Sequence, residues 1–247
     1  MKVEISTILW REWVFFKKRW MKIVSAQVVT PILYLITFGW GIGSNFNLDG
    51  MPYLFYIIPG IIGMNTMRAS YSYIATRVSV ARLHEKSFEA YLLSPIRIPM
   101  LILGHIIAGA MRSMISVVLI LLILAPFGGV LNLSITFFLI CFLNSMMFAC
   151  LGFLAALLID THYDLNRFQS FVITPMSFLC GTFFSLTKLP WVIGQLIELL
   201  PLTHSIRLLR KLFIYGKFDG FALVVMLAYT ALFFILSVKI CYEESRI

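Results

Sequence analysis

The run ITFFLICFLNSMMFACLGFLAALLI, residues 135–159, carries no charged side chain across 25 consecutive positions. At about 1.5 Å per residue, a helix of that length exceeds the roughly 30 Å hydrocarbon core of a bilayer. Apolar on every side, it suits lipid or the centre of a membrane bundle rather than the surface of a small soluble domain. Spans of the same kind are expected over residues 23–43, 52–74, 99–124, 134–159, 168–184 and 220–239. The 247 residues are 60% apolar and 13% charged, with mean hydropathy +0.93, so no soluble domain fits beside six spans. The expected fold class is an all-α integral membrane protein forming one domain over residues 1–247. It has six transmembrane helices, an N-terminal interfacial helix (1–22) and a broken re-entrant helical segment between helices five and six (187–219).

The interfacial helix is read from MKVEISTILWREWVFFKKRWMK. Ile5, Ile8, Leu9, Trp13, Phe16 and Trp20 recur at helical spacing while Arg11, Lys18 and Lys22 take the other side. A signal peptide fits poorly, because the segment holds two acidic residues and several tryptophans, and no small-residue cleavage site precedes the first span.

Lysine and arginine set the orientation. They number six in residues 1–22, four in 75–98, one between spans four and five and two at the C-terminal end, whereas SNFNLDGM and FGGVLN have none. Those two loops are expected outside and both termini in the cytoplasm. Lys188, Arg207, Arg210, Lys211 and Lys217 then fall on the unfavoured side. Their segment, LPWVIGQLIELLPLTHSIRLLRKLFI, is apolar but divided by Pro190 and Pro201. Two short helices dipping into the outer leaflet, over residues 189–199 and 203–214, fit that pattern; a surface-lying amphipathic helix is the other reading.

The one sizeable inner loop, 75–98, contains SFEAYLLSPIRIP. A short helix there presents Phe88, Tyr91 and Leu92 on one side, with Glu85 and Glu89 a helical turn apart. Docking of a soluble partner through these residues is one reading, and an interfacial loop helix without a partner is the other.

Inside the spans the charged residues are Arg68 and Arg112, and no Asp or Glu accompanies them. A charge at the bilayer centre costs about 2.5–3.5 kcal/mol even on the lenient insertion scale. Both arginines are therefore expected to face protein or water. Arg112 either bonds a polar neighbour such as Asn144 or lines a translocation path; Arg68 either snorkels inward or lines that path. Without a membrane-embedded carboxylate, proton or sodium coupling is disfavoured. Cys141, Cys150, Cys180 and Cys241 show no metal spacing and read as packing residues. The four histidines are scattered and suggest no hydrolase. Pro59 is expected to kink span two, and Pro175 and Gly181 span five. There is no phosphate-binding G-x-x-x-x-G-K-[ST], the nearest fragment being YGKF at Tyr215.

FEAYLLSPIRIPMLILG resembles the cytoplasmic loop of type-2 ABC exporter permeases, where a Glu, an apolar pair and a Pro precede the third span. YLFYIIPGIIGM resembles the start of that family's second span. TPMSFLCGTFFSLTKLPWVIGQLIELLPLTHSIRLLR is similar to its C-terminal signature, with Cys180 where Ser is common and Ser185 where Pro is common. Together the three segments cover the chain from Tyr53 to Arg210. The branch approached is that of lipo-oligosaccharide and drug exporter permeases.

The resemblance implies a homodimeric inner-membrane half-transporter whose inner loops dock a separate ABC ATPase. The chain itself would be no enzyme and would bind no cofactor; ATP and Mg²⁺ would be used by the ATPase. The other expected partners are membrane lipids and an amphipathic substrate, with no nucleic acid. The expected ATPase contacts are Glu85, Phe88, Glu89, Tyr91 and Leu92, and the substrate path would include Arg68 and Arg112. Export of another cargo such as heme, or a non-transporting scaffold that recruits a soluble protein, are the alternative functions.

Overall fold

The computed structural model describes residues 2–42, 47–48, 51–93, 96–124, 133–186 and 190–244, apart from some side chains within helices, those of Glu89 and Leu92 among them. FGGVLN, residues 127–132, lies outside them, as does Lys188. Apart from a two-residue antiparallel pairing of Asn47–Leu48 with Met51–Pro52, the regular structure is helical. α1 is Lys2–Tyr34, α2 Tyr53–Leu83, α3 Ser87–Leu93, α4 Ile98–Leu124 and α5 Ile135–Leu158. They are followed by α6 His162–Phe168, α7 Thr174–Leu179, α8 Trp191–Glu198, α9 Pro201–Tyr215 and α10 Gly220–Glu244. Three helical stretches, Ile98–Ile123, Ile135–Leu158 and Gly220–Glu243, are each long and apolar enough to cross a membrane.

α1 shows no break where the sequence reading separates an interfacial helix from the first span. It continues as a π-helical segment, Leu35–Ile42. Pro31, inside α1, has no N–H to give the carbonyl of Gln27, and the wider π turn begins one turn later. Ile8 packs onto Gly104, and Ser116 Oγ donates to Gln27 Oε1 at 2.9 Å. Between those contacts α1 advances roughly 28 Å and α4 only roughly 18 Å at about 1.5 Å per residue, so α1 crosses α4 obliquely.

α2 is the central helix, packed most extensively on α5 and also on α4 and α9. Its charged residues lower its apolarity, but protein rather than lipid surrounds most of its length: Ile57, Ile61, Ile62, Met64, Met67, Tyr71 and Ile74 are fully buried. The helix is not divided at Pro59. Close approach to α5 depends on Gly152, where a β-carbon would stand 2.7 Å from the Tyr71 carbonyl oxygen and 3.3 Å from the Ala75 nitrogen. Backbone cannot yield as a side-chain tip can. Gly152→Leu is therefore expected to cost about 1–3 kcal/mol or more and to lower the unfolding midpoint of the purified protein in detergent. An unchanged midpoint would mean that the two helices are not held at this distance.

The expected fifth span, 168–184, starts and ends earlier, as helix over residues 162–179. α6 leads through a π segment, Gln169–Ile173, into α7, which ends at Cys180 before Gly181 at φ +76°. Thr174 gives both its N–H and its hydroxyl, the latter at 3.2 Å, to the Gln169 carbonyl, and Pro175 withholds the next N–H. α8 and α9 meet at 91° with Pro190 and Pro201 at their starts, so the apolar segment after span five is two helices.

Candidate functional site

At one end of the bundle, α2 turns into α3 through Lys86 at φ +49°. The short helix does not present both of its aromatic residues outward, as the sequence reading has it. Phe88 is 3% exposed, in one buried cluster with Ile74, Val78 and Ile102, its ring 6.4 Å from Phe153. Tyr91 is half-buried, 6.4 Å from the His105 ring and 5.4 Å from the Arg11 guanidinium carbon. Length explains the placement of Phe88: a seven-residue helix is held only by packing, and Phe88 supplies it against its own chain. Exposure falls on His84, Glu85, Lys86, Ala90 and Arg97. Glu85 lies 3.4 Å from Arg77 and accepts from Ser87 Oγ at 3.2 Å. The side chains of Glu89 and Leu92 lie outside the described residues.

α6 stands beside this turn. Thr161 caps it, accepting from the Asp164 N–H at 3.0 Å. Arg82 of α2 pairs with Asp160 at 2.9 Å, and the rings of His84 and His162 come within 3.2 Å, nitrogen to nitrogen. Ser79 Oγ lies 3.2 Å from His162 Nδ1. This series has His84 where a hydrolase would place its carboxylate, so it joins α2 to α6 rather than activating a serine. Seventy-odd residues separate the two histidines in sequence, and no local pattern announces their meeting. The α2–α3 turn and the start of α6 thus form one polar surface with acidic and basic groups interspersed.

The two arginines of the spans are placed differently. Arg68 donates to Ser177 Oγ at 2.8 Å, linking α2 to α7, with its guanidinium 5.8 Å from the Phe178 ring. Arg112 lies 4.0 Å from the Tyr73 ring. Asn144 is not its partner: Asn144 Nδ2 donates instead to Gly63 O at 3.0 Å and Thr66 Oγ1 at 2.9 Å on α2. The carboxylate missing from the spans comes from α1. Glu12, 8% exposed, accepts from Tyr73 OH and lies 3.6 Å from Arg77 and 3.7 Å from Arg11. Sequence reading counts it as part of a surface helix, and only the oblique crossing of α1 brings it inward.

At the opposite end of the bundle, three cations of the broken segment are matched within the chain. Arg207 meets Glu198 at 2.5 Å and Lys211 meets Asp219 at 2.5 Å. The Lys211 hydrogen bond holds the Asp219 carboxyl below its ordinary pKa. Arg210 turns inward, donating from Nε to Tyr56 O at 3.3 Å and from Nη2 to Gly181 O at 2.7 Å, with the Tyr56 ring 3.8 Å away. Tyr53 and Tyr56 donate to the carbonyls of Phe183 and Phe184. All four cysteines are buried and free.

An all-helical integral membrane protein, built round one buried helix and carrying a short loop helix at one end, is thus defined by its fold. The chain belongs to the ABC-2 type transporter family, whose model matches residues 3–214. It is 29% identical over 208 residues to the inner membrane transport permease YadH of Escherichia coli, covering 83% of this chain and 80% of YadH. It is 26% identical over 216 residues to Nodulation protein J of Sinorhizobium fredii, covering 86% and 82%. Nodulation protein J of Rhizobium meliloti matches at 26% over 205 residues, 82% and 78%. The chain is accordingly a membrane transport component, and permeases of its family work in general with an ABC ATPase.

Proposed function

We propose that this chain is the membrane half of an ABC exporter, dimeric in the membrane, with an ATPase subunit seated on the surface formed by the α2–α3 turn and the start of α6. The observation that carries the reading is the α2–α3 turn: Phe88 of α3 is buried with residues of α2, α4 and α5, while His84, Glu85 and Lys86 just before it are exposed. A push on such a turn is passed to α2 and α4 through packed side chains rather than absorbed by a loose loop.

The proposed placement has six crossings: the second half of α1 with its π segment, α2, α4, α5, α6 with α7, and α10. Both termini and α3 lie in the cytoplasm. α8 and α9 form a re-entrant pair at the outer leaflet, where the exposed Trp191, Val192 and Leu196 of α8 suit an apolar surrounding. Internal matching of Arg207, Arg210 and Lys211 leaves few free cations to oppose that side. The cargo is an amphipathic molecule, a lipid-linked sugar, lipo-oligosaccharide or drug-like compound. That class rests on the resemblance to the lipo-oligosaccharide and drug exporter branch.

The test is reconstitution with the ABC ATPase that copurifies with this chain, measuring ATP-dependent movement of a fluorescent lipid across vesicles. Movement that requires both chains is expected. In cells, cysteines at Asn47 and Asn132 are expected to label from outside, and one at Ser87 only after the membrane is opened. Outside labelling at Ser87 would overturn the placement, and ATP-independent movement would overturn the exporter reading.

A further inference from the structure

A cavity of about 170 Å³ lies between α1, α2 and α4, lined by Glu12, Trp13, Phe16, Tyr73, Met111 and Arg112 among others. Its mouth is set by Trp13 and Met111, which are 57% and 52% exposed. The apolar part of the wall suits an alkyl chain. The cation at its edge is unusual, since Arg112 stacks on Tyr73 and makes no hydrogen bond among the described residues, leaving a guanidinium fork with open donors.

Glu12 is engaged on its other side by Arg11, Arg77 and the Tyr73 hydroxyl, and Glu85 lies against Arg77. Among the described residues, Arg11 and Arg77 each have a carboxylate within 4 Å and Arg112 has none. Tyr73 couples the two sides: its hydroxyl goes to Glu12 and its ring carries Arg112.

We propose that this cavity is a binding site for the phosphate-type headgroup of an amphiphile, with Arg112 as the anion-binding group and Trp13, Phe16 and Met111 along its chain. About 170 Å³ accommodates a headgroup and the first methylenes, so the rest of the molecule would lie outside, in the bilayer. The site rests on the membrane placement proposed above but not on export. Loss of ATP-driven movement with retained binding would count against the exporter alone.

The experiment uses purified full-length protein in dodecyl maltoside, stripped of lipid and titrated with dioctanoyl phosphatidylglycerol under native mass spectrometry. One saturable adduct is expected. Arg112→Gln is expected to weaken it about tenfold or more, and Arg112→Lys less, because an ammonium keeps the charge but not the fork. Arg167→Gln, at an exposed cation already paired with Asp164, is expected to change nothing. Ala108→Leu, at another lining residue, narrows the cavity with every charge kept and is expected to weaken binding as well. Competition by inorganic phosphate at equal concentration would assign the site to a free anion; failure to compete, with dioctanoylglycerol silent, would assign it to a lipid headgroup. Unchanged affinity in Arg112→Gln overturns the proposal, and so does unchanged affinity in Ala108→Leu should the arginine variant fail to fold.

Discussion

Arg210→Leu is expected to remove most of the folded protein. The side chain donates to the carbonyls of Tyr56 and Gly181 and stacks on the Tyr56 ring, so it ties together the start of α2, the turn after α7 and the middle of α9. Leucine fills part of the volume but leaves the Gly181 carbonyl without this donor, at about 1–3 kcal/mol for the orphaned group, and takes from the Tyr56 carbonyl its second donor beside the helical one. Loss of about 3 kcal/mol corresponds to roughly 6–12 °C in the unfolding midpoint for a chain of this size. Arg210→Lys should fall between, because one ammonium cannot reach both carbonyls and stack on the ring as the planar fork does. A midpoint of Arg210→Leu within about 2 °C of the unmodified protein would show that the turn is held by other contacts.

Sequence alone did not assign Arg210 this duty, and the reason is physical. Hydropathy and the distribution of Lys and Arg treat a cation as something to be kept near water, so Arg210 looks like part of a charged rim beside Arg207 and Lys211. Those two do hold surface pairs. What separates the third is its place on α9, where a helix that begins at Pro201 and is buried through Leu202, Ile206 and Leu209 turns position 210 toward carbonyls of other elements. The positions of the long apolar helices, the division at Pro190 and Pro201 and the family signature were legible because they are written in local runs and spacings. The Glu12 cluster and the His84–His162 contact were not, since each depends on where a distant helix crosses. Phe88 shows the same limit at shorter range: its place on an apolar stripe was readable, but not whether the stripe faced a partner or its own core.

That distinction leads to the largest functional effect. Reversing the acidic pair that the sequence singles out, with Glu85→Arg and Glu89→Arg together, is expected to leave the permease inserted and thermally unchanged. At least about tenfold less ATPase should copurify with it, and nucleotide-driven transport should be lost. Surface reversals of this kind act on encounter and register, and Glu85, whose side chain is 46% exposed, contributes little to the fold. Phe88→Ala should behave in the opposite order. It opens a hole against Phe153 and the neighbouring aliphatic residues at about 3–5 kcal/mol, so the unfolding midpoint falls first and the ATPase is lost only as α3 comes loose from the core. A milder Phe88→Leu should keep α3 seated and retain the ATPase, whereas a side chain acting as a direct interface anchor would lose binding with no change in midpoint. If the double reversal kept its ATPase and its transport, the α2–α3 turn would be an ordinary turn, and the partner would have to be sought on α6 alone.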